Sequence, residues 1–185
     1  METLEKIQEF ARQAHEGQRR KYADEPYINH PIRVMQVCEA YTQELPVLAA
    51  ALLHDVLEDT EVTAEEMQEF LSGVMGEAEV RRTLKLVQEL TDVYTHADYP
   101  GLNRDQRKSR EAERMAKVSP AAQTIKYADI LDNSLDIVES ESDFAPKYLI
   151  ESKTLLQRMT WGDKTLHKRA AEAVGQGLLK VRGRK

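Results

Sequence analysis

AALLHDVLEDT, residues 50–60, sets one histidine and three carboxylates at the end of a run that otherwise belongs in a protein core. Ala49, Ala50, Ala51, Leu52, Leu53, Val56 and Leu57 ask for burial, whereas His54, Asp55, Glu58 and Asp59 lose hydration there unless something compensates. On a helix, positions 54, 55, 58 and 59 share one face, because steps of three and four residues return to the same side. The spacing therefore predicts an acidic patch, headed by an imidazole, on an apolar helix. Three negative charges so placed are destabilising unless a cation neutralises them, and a single divalent metal would suffice. Taken alone, one His–Asp pair favours the plainer alternative of a helix end emerging into solvent.

Helical periodicity extends outward from this stretch in both directions. Leu4, Ile7, Phe10, Ala11 and Ala14 form one stripe of an amphipathic helix that should stop near Gly17. Residues 18–29, QRRKYADEPYIN, read as a basic loop, and Pro31 opens a second helix with Asn29 or His30 near its cap. Pro46 opens the helix of the quoted stretch. The TAEE at Thr63 is a capping box for a helix ending near Gly73, and a further helix covers roughly residues 78–92. YTHADYPGLN is an irregular loop before the charged helix RDQRKSREAERMAKV. Ser119 followed by Pro120 starts another helix, PAAQTIKYADILDNSLDIVE. A long helix is expected from about Pro146 to Trp161 and a shorter one after Asp163. No strand alternation or repeat stands out, so the fold class is all-α. The expected organisation is a single domain over residues 1–175, with 176–185 a basic tail that frays.

At 185 residues with 41% hydrophobic content, the chain can bury a core without disulfide staples. No apolar run approaches a membrane span, and METLEKIQEF resembles an amphipathic helix more than a signal peptide. The lone Cys38 lies among Val34, Met35 and Val37, which reads as a buried, inert thiol and fits a reducing cytoplasm. A net charge of −6 argues against a general nucleic-acid binder, since phosphate backbones reward a broad positive face. It leaves room for a small anionic substrate held by a local basic cluster or a metal.

Two further places favour a metal over the solvent-exposed alternative. His30 precedes Pro31 in PYINHP, at the mouth of a helix, and Asp129 lies in the apolar helix segment KYADILDN. A site of His30, His54, Asp55 and Asp129 mixes nitrogen and oxygen donors, which suits Mn²⁺ or a similar transition ion. A thiolate zinc site is excluded by the single cysteine.

Four ordered blocks, AHEGQRRKYADEPYINHP, AALLHDVLEDT, LVQELTD and IKYADILDN, resemble the HD-domain metal-dependent phosphohydrolases, and within them the hydrolase domain of RelA/SpoT homologues and the stand-alone small alarmone hydrolases. The resemblance covers roughly residues 10–160. It implies the helical HD fold and removal of the 3′-pyrophosphate from (p)ppGpp to leave GDP or GTP. It assigns the metal to His30, His54, Asp55 and Asp129, and water activation to Glu58 and Asp59. It also implies that Arg20 and Lys21 lie against the nucleotide, that Asn133 contacts the nucleoside, and that Tyr148 lines the pocket. Arg107 and Lys108 are candidates for distal phosphates, with plain exposed helix charge an equal alternative.

The chain departs from the family pattern beside Asp129. Relatives carry Arg or Lys where Ile130 stands, and an aromatic residue or His where Asp132 stands; Asp136 is also unexpectedly acidic. These changes make the nucleotide side more negative and leave base and phosphate number open. A related nucleotide such as (p)ppApp or NADPH, and a non-catalytic nucleotide sensor, are the alternatives to a (p)ppGpp hydrolase. The complete ligand set and the Glu58–Asp59 pair speak against the sensor.

Overall fold

Leu45–Leu53 (α3) is apolar on every side, and a helix of that kind must be covered on every side. In the computed structural model, which describes residues 2–184, α3 is buried from Pro46 to Leu53. The covering elements are α1 (Glu2–Ala14), α2 (Asn29–Glu39) and α6 (Glu77–Leu90), which pack on α3, while α5 (Ala64–Ser72) packs on α6. Together they bury Ile7, Ala11, Val34, Cys38, Met67, Leu71, Val80, Leu86, Val87 and Leu90. These helices, with the short α4 (Val56–Asp59), make one compact unit ending at Thr91. A second unit begins at Asp92 and holds α7 (Arg104–Met115), α8 (Pro120–Glu139), α9 (Ala145–Arg158) and α10 (Lys164–Arg182). Among the described residues there is no strand, only an isolated antiparallel bridge between Arg19 and Pro26. No described helix is long and apolar enough to cross a membrane.

Local signals set most boundaries. Gly17 adopts φ +78°, the left-handed conformation that favours glycine, in the turn leaving α1. Thr63 and Glu66 complete the reciprocal capping box of α5, and Asn103 with Gln106 does the same for α7. Ser119 caps α8, and Asp163 caps α10 by accepting from the amides of Thr165 and Leu166. The cap expected at Asn29 or His30 is absent: α2 begins at Asn29, flanked by Ile28, with no side-chain cap bond.

Two expectations are corrected. The helix foreseen through residues 46–60 is interrupted at His54 and Asp55, between α3 and α4. The physical reason is local. A continuous helix would bring the Asp55 amide to the Ala51 carbonyl, but His54 Nδ1 lies 2.8 Å from that oxygen, and Asp55 sits at φ −99°, ψ −5°. The second correction concerns the C-terminal segment expected to fray. There α10 continues to Arg182, because Leu178 and Val181 are buried on the same face as Val174. Lys185 lies outside the described residues.

In the second unit α9 and α10 pack on α8, and the turn between them is clamped to α8. Tyr127 Oη donates to the Met159 carbonyl (2.8 Å), Gln123 Oε1 accepts from the Trp161 amide (2.8 Å), and Thr124 Oγ1 accepts from the Asp163 amide (2.9 Å). Gly162 is pressed into this clamp: a Cβ there would stand 2.6 Å from Tyr127 Cε2 and 2.9 Å from the Thr124 backbone nitrogen. Backbone cannot yield as a side-chain tip can. Gly162→Ala should therefore destabilise the protein by about 1–3 kcal/mol, read as a lowered midpoint in thermal unfolding; an unchanged midpoint would mean that the turn moves freely off α8.

Candidate active site

The interruption after α3 is what builds the site in the first unit. His54 leaves a fully buried helix and is itself 2% exposed, and His30, in the first turn of α2, is 1% exposed. The edge-on rings lie 5.2 Å apart. His54 Nδ1 meets a carbonyl oxygen, which can only accept, so Nδ1 carries a proton and Nε2 is the ring nitrogen turned toward Asp55. Asp55 Oδ2 stands 3.1 Å from His54 Nε2 and 3.6 Å from His30 Nε2. An imidazole nitrogen and a carboxylate oxygen that close are held together by a proton or a cation between them. Ligand atoms of His30, His54 and Asp55 all lie within 4.8 Å of one another, so the donor set fits a divalent transition ion. The carbonyl bond at Nδ1 fixes ring orientation in the manner usual for metal-binding histidines.

Asp55 is also held from outside the cluster. Tyr27 Oη lies 2.7 Å from Asp55 Oδ2 and 3.0 Å from Asp59 Oδ2. Burial and the two carboxylates push the Tyr27 hydroxyl far above its usual pKa, so it stays a proton donor. Asp59, in α4, has its pKa raised by the protein packed around it and then by the charge of Asp55. Gln18 Nε2 donates to the Asp59 carbonyl at 2.7 Å, and its Oε1 meets His15 Nδ1 at 2.8 Å. His15 is buried under the basic loop, as its position suggests, with its ring 4.6 Å from that of Tyr27. Glu58 is exposed on α4. Arg20 places its guanidinium 5.6 Å from the Tyr27 ring centre, and Lys21 lies 5.4 Å from that of Tyr22.

The remaining candidates belong to the second unit. Asp129 on α8 is buried; Lys126 Nζ lies 2.8 Å from its Oδ2, and Asn133 Nδ2 donates to its Oδ1 at 2.5 Å. Ile130 and Asp132 are buried, Asn133 and Asp136 half-buried. Tyr148 is half-buried on α9. Arg107 donates to the Leu102 carbonyl and Lys108 pairs with Asp92 at 3.0 Å, so both brace the segment preceding α7. Sequence reasoning missed Tyr27 and Gln18. For Tyr27 the signal was its place three residues before His30 in PYINHP.

A profile of the HD domain matches residues 27–134. The chain is 40% identical over 132 residues to the guanosine-3′,5′-bis(diphosphate) 3′-pyrophosphohydrolase MESH1 of Mus musculus, an alignment spanning 70% of this chain and 66% of that protein. The chain thus matches just under two thirds of that relative's length. It is 34% identical over 138 residues to the guanosine-3′,5′-bis(diphosphate) 3′-pyrophosphohydrolase of Aquifex aeolicus, spanning 71% of this chain and 17% of the relative. The solved structure of a metazoan ortholog of SpoT that hydrolyzes ppGpp and plays a role in starvation responses superposes with a TM-score of 0.76 at 29% identity, covering 96% of this chain and 97% of the other.

Proposed function

The chain belongs to the HD-domain family, and on that footing we propose that it is a metal-dependent 3′-pyrophosphohydrolase of guanosine tetra- and pentaphosphate, acting on the nucleotide in the cytoplasm and leaving GDP or GTP. The observation that carries the reading is the set of His30, His54 and Asp55 donor atoms within 4.8 Å of one another, with Asp59 tied to Asp55 through Tyr27. The similar proteins named above support the choice of substrate.

In this reading His30, His54 and Asp55 hold Mn²⁺, and Asp129 joins them on the strength of the family resemblance. A divalent ion supplies Lewis acidity toward a phosphate oxygen and lets water act as a nucleophile near neutral pH. The chain's own groups do the rest. Asp59 and Glu58 lie one helical turn past the ligands, where a carboxylate can orient water and take its proton without being a ligand. Arg20 and Lys21 bring positive charge to the nucleotide; a guanidinium stacks on a purine face as readily as on the Tyr27 ring. Asn133 and Tyr148 complete the nucleoside contacts. Arg107 and Lys108 would have to exchange the Leu102 carbonyl and Asp92 for phosphate, which makes them the least supported members of the set.

A second substrate, (p)ppApp or NADPH, is favoured by one observation. Asp132, buried one helical turn beyond Asp129, is a carboxylate that accepts from an amino group such as adenine N6 and opposes phosphate. One experiment separates the readings: chelator-stripped protein is assayed on ppGpp, pppGpp, ppApp and NADPH with and without Mn²⁺, and products are resolved by chromatography. Mn²⁺-dependent release of pyrophosphate from the guanine nucleotides is the expected result. Turnover confined to ppApp or NADPH would move the assignment to the second substrate, and full activity in excess chelator would overturn the metal.

A further inference from the structure

One side chain touches Asp55, Asp59, His30 and Arg20 of the first unit's site without being a metal ligand or a water-activating group. The Tyr27 hydroxyl lies 2.7 Å from Asp55 Oδ2 and 3.0 Å from Asp59 Oδ2. Its ring is edge-on to His30 at 6.0 Å, lies against His15 at 4.6 Å, and has the Arg20 guanidinium over it at 5.6 Å. Its backbone is fixed as well: the Tyr27 amide donates to the Gln18 carbonyl, and the Tyr27 carbonyl accepts from the His30 amide, each at 3.0 Å. These bonds tie Tyr27 to the first turn of α2, where His30 sits.

We propose that Tyr27 is a positioning residue with two separable duties. Its hydroxyl fixes the Asp55 carboxylate toward the two imidazoles and sets Asp59 at a constant distance from it, and its ring is the platform on which Arg20 waits for the nucleotide. The proposal deepens the metal-hydrolase reading and rests on it. A phenol has one proton, so its oxygen serves both carboxylate oxygens by sharing that proton between them, with the closer contact to Asp55 at 2.7 Å and the longer one to Asp59 at 3.0 Å. A carboxylate on a flexible stem then has little freedom to rotate away from His30 and His54. Loss of such a bond to a ligating group typically weakens metal binding or activity by roughly 10–100-fold. The ring duty is independent of the hydroxyl, because Phe presents the same π-face to a guanidinium.

The test uses the full chain as wild type, Tyr27→Phe and Tyr27→Ala, with Mn²⁺ affinity measured by calorimetry and kcat and KM measured at saturating Mn²⁺. Tyr27→Phe should remain folded with a cooperative thermal transition, lose roughly 10-fold or more in Mn²⁺ affinity, and lower kcat with KM unchanged. Tyr27→Ala should show the same losses and raise KM in addition, because Arg20 loses its support. A residue that only filled space would be rescued in full by Phe, so wild-type Mn²⁺ affinity and kcat in Tyr27→Phe would overturn the proposal. The Mn²⁺ titration needs no substrate. If wild-type protein binds Mn²⁺ but spares the guanine nucleotides, the substrate assignment fails while the affinity ratio of Tyr27→Phe to wild type still decides the role of the hydroxyl. Wild-type protein that binds no Mn²⁺ would overturn both.

Discussion

Asp55→Ala is expected to lose bound metal and turnover together, the largest effect any single substitution in this chain should have. The carboxylate is the element common to the cluster, standing 3.1 Å and 3.6 Å from the two imidazole nitrogens and accepting from Tyr27. Its side chain is 17% exposed, against 2% for His54, so its removal leaves less of a void. His54→Ala tests the same centre less cleanly, because it also strips the Ala51 carbonyl of its Nδ1 donor and opens space in the core. The readout that does not depend on substrate is thermal. An ion that binds only the folded state at a hundred times its Kd adds about 2.7 kcal/mol, which for a chain of this size raises the midpoint by on the order of 5–10 °C. Wild-type protein should show that rise with Mn²⁺, and Asp55→Ala should show none. An equal rise in both proteins would place the ion elsewhere.

The second large effect should come from the carboxylates one turn further on. Asp59→Asn and Glu58→Gln keep size and shape, and neither residue lies among the three clustered donors. Metal affinity and KM should hold while kcat falls, since general acid–base catalysis contributes typically ~10²–10⁴-fold. The two positions are not equivalent in the structure. Both are exposed, but Asp59 is tied to Asp55 through the Tyr27 hydroxyl and its carbonyl accepts from Gln18. The larger fall should therefore belong to Asp59→Asn, measured in single-turnover assays at saturating Mn²⁺. Full kcat in Asp59→Asn would remove Asp59 from water activation, and an effect confined to KM would make it a binding group.

How much of this could be read before folding follows from the range of each interaction. Helix starts at Thr63, Ser119 and Asp163 depend on a side chain and an amide two or three residues away, so the sequence alone determines them. The all-α class follows likewise from periodicity, and the candidacy of His30, His54 and Asp55 from their polar character in apolar or proline-fixed settings. The break at His54 was not legible, because it turns on which way one imidazole rotates toward the Ala51 carbonyl, and a helical spacing rule assumes an unbroken ladder. The helical C-terminus was not legible either: GLLKVRGRK looks polar as a string, and only the packing of α10 on α8 and α9 hides Leu178 and Val181. Tyr27 is the sharpest case. Its proximity to His30 is local, but its bonds to Asp55 and Asp59 reach across 28 and 32 residues. Sequence determined which groups could carry the chemistry, because their types and short-range spacing are chemical facts of the chain. Tertiary structure alone decided which carboxylate oxygen faces which donor, because that depends on packing between residues far apart in the chain.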